Sequence, residues 1–235
     1  MVGEKMNKRK LQIIVCFIIL ITLIPFSLSQ ITKAKQVQYG DLPIIIIDAG
    51  HGEFDGGAVA NDSTLEKDIN LAISLKLQKI MVMNGYKVIM TRTTDKATDY
   101  SEATDIKSRK VKDMKNRLKL MNETENAIFI SIHLNKFSAS SAKGAQVFYA
   151  PNSVGSKELG DSIQKSIIQL LQKDNNRAIK QGNKSTFLLY YAEKPAVIVE
   201  CGFLSNEEEL ILLKDEQYQN KMAFSIFCGV LNYLN

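Results

Sequence analysis

Residues 44–57 read IIIIDAGHGEFDGG. Ile44 to Ile47 show no alternation of polar and apolar positions, so a strand made of them has both faces buried, as in a parallel sheet covered by helices on each side. At Asp48 the chain turns polar, and His51 follows between Gly50 and Gly52, with Glu53, Asp55, Gly56 and Gly57 close behind. A histidine in that place stands where a sheet stops and a crevice can begin. The glycines on either side of it permit a tight turn, and the later pair lets backbone pass close to whatever the turn surrounds.

Downstream, short apolar runs alternate with helical patterns. Ile69, Ala72, Ile73, Leu77, Ile80 and Met81 recur at helical spacing and Gly85 follows as a stop, which predicts a helix over 64–84. YKVIMTR (86–92) reads as a strand, 93–105 as a polar loop, 106–122 as a charged helix and AIFISIH (127–133) as a further strand. Residues 145–149 predict a strand and 156–173 a helix; after a polar loop come two more strands, FLLYY (187–191) and AVIVE (196–200), and a helical tail from Glu207 onward. This alternation predicts an α/β fold: a single domain with a mostly parallel twisted sheet flanked by helices.

Upstream, Lys5, Lys8, Arg9 and Lys10 precede an apolar stretch from Ile13 to Phe26, the pattern of an export signal. The charge-free run from Leu11 to Thr32 is also long enough to remain in the membrane with its basic start in the cytoplasm. Residues 1–32 are thus expected to be a signal peptide or an N-terminal membrane anchor, and 42–235 the folded domain, secreted or held at the outer membrane face by residues 11–32. The chain of 235 residues carries a formal charge of +5; without residues 1–29 it is +2, from 26 Lys and Arg against 24 Asp and Glu. The basic character therefore belongs mostly to the export segment. No stretch interleaves basic and aromatic residues, and export argues against a nucleic-acid partner. Of three cysteines, Cys16 falls in the apolar leader, while Cys201 and Cys228 sit in apolar company and read as buried free thiols.

Three apolar runs end in residues able to bind a metal or move a proton: His51, His133 and Glu200. His51 and His133 are the only two histidines of the chain. Parallel strands deliver their carboxyl ends to one crevice, so the three endings can meet. Two neutral imidazoles and a carboxylate, with a fourth position open, form a recurrent ligand set of catalytic zinc. Glu200 and Glu66 both compete for the carboxylate role, as do Asp48, Glu53 and Asp55. Glu66 has an alternative: Ser63-Thr64-Leu65-Glu66 fits a capping box at the start of a helix.

The segments DAGHGEFDGGA, TLEKDINLA, VIMTR, Arg117 and Asn122 ahead of IFISIHLN, and PAVIVECGFLSN occur in this order after residue 43. Together they resemble the zinc-dependent N-acetylmuramoyl-L-alanine amidases of the amidase-3 family. GAV after the first motif, VECGFLSN and the short layout are most similar to members that act in sporulation. The resemblance implies Zn2+ held by His51, Glu66 and His133, with Glu200 as the catalytic glutamate that works with the metal on a water. It implies a peptidoglycan substrate, cut at the amide joining muramic acid to the L-alanine of the stem peptide, in preparation of spore cortex for muramic-lactam formation. Asp48 is expected to orient His51 by a hydrogen bond, and Asn135 and Arg177 to touch substrate; Tyr190 departs from the family, which often has an arginine there. Other readings of the same residues are a zinc hydrolase of another amide or peptide, a cysteine hydrolase using Cys201, and a non-catalytic envelope-binding protein, and an accessory protein partner fits any weak metal site.

Overall fold

A computed structural model describes residues 42–98 and 105–235, so the leader expected over 1–32 lies outside the described residues. Strand β1 (Ile44–Ala49) is an inner strand of a six-stranded sheet, with the edge strand β2 (Val88–Met90) on one side and β3 (Ala127–Asn135) on the other. Beyond β3 come β6 (Ala196–Phe203), β4 (Gln146–Tyr149) and β5 (Lys180–Gln181), giving the order β2-β1-β3-β6-β4-β5. Four pairings are parallel, and only β4 against β6 is antiparallel. The fold is the α/β domain with a mostly parallel sheet that the sequence predicts.

The isoleucine run alternates between two cores. Ile45 and Ile47 join Ile130, Ile132 and Val199 on one face, packed against α1 (Glu66–Met83), α3 (Ser156–Leu170) and α6 (Glu216–Leu234) through Ile73, Leu159 and Met222. Ile46 joins Phe129 and Ala196 on the other, under Met121 of α2 (Ile106–Glu123) and Leu188 and Leu189 of α4 (Phe187–Tyr190). Each of the buried Ile, Leu, Val, Met and Phe side chains among these contributes roughly 1.5–3 kcal/mol by leaving water. With both faces covered, β1, β3 and β6 open only at their ends, and being parallel they place their carboxyl ends on one edge.

Three elements differ from the sequence reading. FLLYY forms the short helix α4 rather than a strand: both edges of β6 are already taken, by β3 and β4, so the segment has no ladder to join, and as a helix it buries Leu188 and Leu189 against the sheet face around Ile46 and Phe129. The expected C-terminal helix divides into α5 (Glu207–Lys214) and α6, because Asp215 takes an extended conformation and its side chain accepts from Tyr218 N to cap the second helix. The two exposed residues of β5 have no apolar signal at all and pair only with the edge of β4. Cys201 and Cys228 are free thiols. Among the described residues no helix is long and apolar enough to cross a membrane.

Candidate metal centre

His51 lies just past the end of β1 in the left-handed region, with φ of 63°. This puts its ring over the carboxyl edge of the sheet rather than along the strand. His133 and Glu200 are register partners on β3 and β6, and the ladder shifts between His133 and Asn135. Glu66 is the first residue of α1, whose capping position, Leu65, offers no side-chain bond. The capping box is therefore absent. Glu66 Oε2 instead accepts from Ala58 N at 2.8 Å, and its Oε1 accepts from Leu134 N at 3.0 Å and Asn70 Nδ2 at 3.2 Å.

These contacts aim the Glu66 carboxylate at both histidines. His51 Nε2 is 3.2 Å from Oε2 and His133 Nδ1 is 3.0 Å from Oε1. One donor atom from each of the three residues lies within 4.8 Å of the others. Two glycines make the room: a Cβ on Gly50 would collide with the His133 ring, and one on Gly57, itself at φ +69°, would stand 2.6 Å from Glu66 Oε2 and from His51 Cδ2. Two imidazoles and a carboxylate converging in a partly buried pocket fit the donor set of a zinc ion.

The second nitrogen of His51 is also engaged. Its Nδ1 is 2.8 Å from Asp55 Oδ2, and Asp55 Oδ1 is 2.7 Å from Lys110 Nζ. Asp48, expected in this role, serves elsewhere: fully buried, it accepts from Thr91 Oγ1, Ser131 Oγ and Arg117 Nη1. The reason is the turn, in which Gly52 and Asp55 exchange backbone hydrogen bonds at 2.9 Å and fold Asp55 back beside His51. Glu53 is drawn away by Arg109 at 2.8 Å.

The charges reinforce one another. Burial alone would lower the His51 pKa, but the hydrogen bonds to Asp55 and Glu66 outweigh it and raise it to about 9. Glu66 resists burial because the two histidines hold it well below the usual carboxylate range. Glu200 behaves oppositely: burial pushes it up to about 7, against the two imidazoles that favour its charge. Its Oε2 is buried with no hydrogen-bond partner among the described residues. A cavity of about 270 Å³ opens here, lined by His51, His133, Glu200, Lys110, Met114 and Phe187 among others.

Asn135 and Arg177 do not line that cavity. Arg177 donates to Lys143 O at 2.7 Å and stacks over the Phe203 ring at 4.6 Å, beside a separate, larger cavity. Tyr190 packs edge-on against Tyr191. Cys201 is fully buried, its thiol donates to Val199 O at 3.6 Å, and burial raises its pKa well above the ordinary thiol value, which removes it as a nucleophile. Asn70 and Lys110 escaped the sequence reading; Asn70 alone left a trace, standing four residues after Glu66 on the same helix.

Fold and site define a class: an α/β enzyme of the hydrolytic kind, with a His-Glu-His set suited to a metal and a part-buried glutamate beside it. The amidase-3 family, described as N-acetylmuramoyl-L-alanine amidase, matches residues 45–232, and the chain belongs to it. It is 34% identical over 221 residues to the germination-specific N-acetylmuramoyl-L-alanine amidase of Bacillus subtilis, covering 92% of this chain and 91% of that protein. Among solved structures, the CwlD amidase of Clostridioides difficile, in complex with the GerS lipoprotein, superposes with a TM-score of 0.78 at 42% identity over 82% of this chain and 98% of that one. An N-acetylmuramoyl-L-alanine amidase from Clostridium difficile 630 follows with a TM-score of 0.71 at 32% identity over 83% and 97%.

Proposed function

We propose that this member of the family is a zinc-dependent amidase that cleaves the bond between muramic acid and the L-alanine of the stem peptide in peptidoglycan. His51, Glu66 and His133 hold the ion. When bound, zinc supplies Lewis acidity, which polarises a carbonyl and eases loss of a proton from water. The protein's own share begins with Glu66, fixed by two backbone N–H groups, and with Asp55, which fixes the ring of His51.

Glu200 moves the proton. Its carboxyl takes a proton from the attacking water and gives it to the departing amine nitrogen, working as base and then as acid. The observation that carries this reading is the register of β3 and β6, which sets Glu200 beside His133 with one oxygen unpartnered. Such an orphaned buried oxygen costs stability and suits a group kept for reaction.

The spore-cortex role rests on the likeness to the germination-specific relative. Export by residues 1–32 fits a peptidoglycan substrate, and the lipoprotein-bound CwlD neighbour supports an accessory protein partner. The test is Glu200→Gln, assayed on defined muropeptides. Release of L-alanine-headed stem peptides falls about 10²–10⁴-fold while stoichiometric zinc remains bound. Full release by the variant rejects the role of Glu200, and cleaved dipeptides beside intact muropeptide from the wild type reject the substrate.

A further inference from the structure

Neither His51 nor Glu66 lies within a strand ladder. One follows β1 in a left-handed turn and the other begins a helix without a side-chain cap. A side chain that bridges the two segments can set the distance between them. Arg92, only 5% exposed at the end of the β2 segment, is placed to do so. Its Nη2 donates to Gly50 O at 3.0 Å, the residue before His51, and to Lys67 O at 2.7 Å, the residue after Glu66. Its Nε donates to Ala49 O at 2.9 Å and its Nη1 to Thr94 O at 3.2 Å.

We propose that Arg92 is a positioning residue of the metal centre, setting the separation of His51 and Glu66 by donating from one guanidinium to the backbone beside each, with Asn70 as its second. The proposal rests on His51 and Glu66 being metal ligands. Asn70, fully buried, repeats the bridge: its Nδ2 donates to Gly50 O at 3.3 Å and to Glu66 Oε1 at 3.2 Å. The turn is also shaped around the arginine, since a Cβ on Gly52 would stand 3.0 Å from Arg92 Cδ and 3.1 Å from its Nε. A side chain that merely docked α1 on the sheet could reach any turn of an 18-residue helix; this one reaches the residue next to the ligand. All four acceptors are neutral carbonyls in diverging directions, so a planar fork of N–H donors is needed and a lysine cannot supply it.

Arg92→Lys in the full chain tests this, with folding followed by circular dichroism and Tm, zinc affinity by chelator competition, and geometry by the visible spectrum of the Co2+-substituted protein. The expected result is a folded variant with zinc affinity reduced about 10–100-fold and altered Co2+ bands. Asn70→Ala is expected to lower affinity in the same direction and by less. A folded Arg92→Lys with wild-type affinity and spectrum, changed only in Tm, shows a purely structural arginine and overturns the proposal. If Arg92→Lys does not fold, an Asn70→Ala protein with unchanged affinity and spectrum overturns it instead. Wild-type protein that binds no zinc removes the metal reading itself and this inference with it, an outcome told apart by the wild-type measurement alone.

Discussion

Two cavities of this domain differ in a way that size does not predict. The larger, about 580 Å³, has Gln172, Asn175, Arg177, Glu209 and Tyr218 in its lining, and these five side chains are paired. Gln172 donates to Tyr218 Oη, Asn175 to Ala145 O, and Glu209 accepts from Gly144 N and Phe203 N. The smaller, about 270 Å³, holds two histidines and Glu200, a carboxyl pushed up to about 7 with an oxygen that has no partner among the described residues. A cavity whose polar groups are satisfied by their neighbours belongs to the architecture; one that leaves a buried group unsatisfied is reserved for a ligand or a reaction.

The sharpest way to press that comparison is to disturb the small cavity without touching its proposed ligands. Asp55→Ala removes the acceptor of His51 Nδ1, and zinc affinity should fall about 10–100-fold in a chelator titration while the fold persists. Unchanged affinity would mean that the turn alone orients the ring.

A smaller effect concerns stability of the metal-free protein. Because burial raises the folded-state pKa of Glu200 to about 7, above its usual carboxylate value, the folded state holds a proton that the unfolded state has lost. Stability is therefore undiminished below about pH 4 and declines as pH rises towards 7. Glu200→Gln should remove this part of the slope, making the metal-free variant more stable than wild type at pH 8 by on the order of 1–3 kcal/mol in urea titrations. Equal stability of the two at pH 8 would contradict a carboxyl whose charge is disfavoured by desolvation. The smallest effect belongs to the other cavity: Arg177→Ala should lower Tm by a few degrees and change amide release by less than about threefold. A tenfold loss of release would make the larger cavity part of the substrate site.

How far the sequence could be read follows from the same contrast. Ile44–Ile47, the AIFISIH run and AVIVE were legible because strands buried on both faces must be apolar throughout, and His51, His133 and Glu200 were conspicuous because each ends such a run. Glu66 was ambiguous, since a glutamate two residues after a threonine and three after a serine suits a cap as well as a ligand; only the folded chain shows its oxygens turned to Ala58, Leu134 and the histidines. The choice between Asp48 and Asp55 depended on the left-handed turn at His51, a backbone angle that no spacing reveals. The substrate contact expected of Arg177 rests on its chemistry alone; the folded chain sets its guanidinium against Lys143 O, Gln146 and Phe203, outside the cavity of the histidines. FLLYY has strand composition but lies where the sheet has no free edge for it.

The central claim is that His51, Glu66 and His133 form one zinc site serving amide cleavage. The most direct measurement is zinc content together with stem-peptide release from peptidoglycan, made in parallel on the wild type and His133→Ala. One zinc per chain and peptide release in the wild type, both lost in a folded His133→Ala, is the result expected. A wild type that takes up no zinc at excess metal, or a His133→Ala protein that keeps both zinc and release, would contradict it.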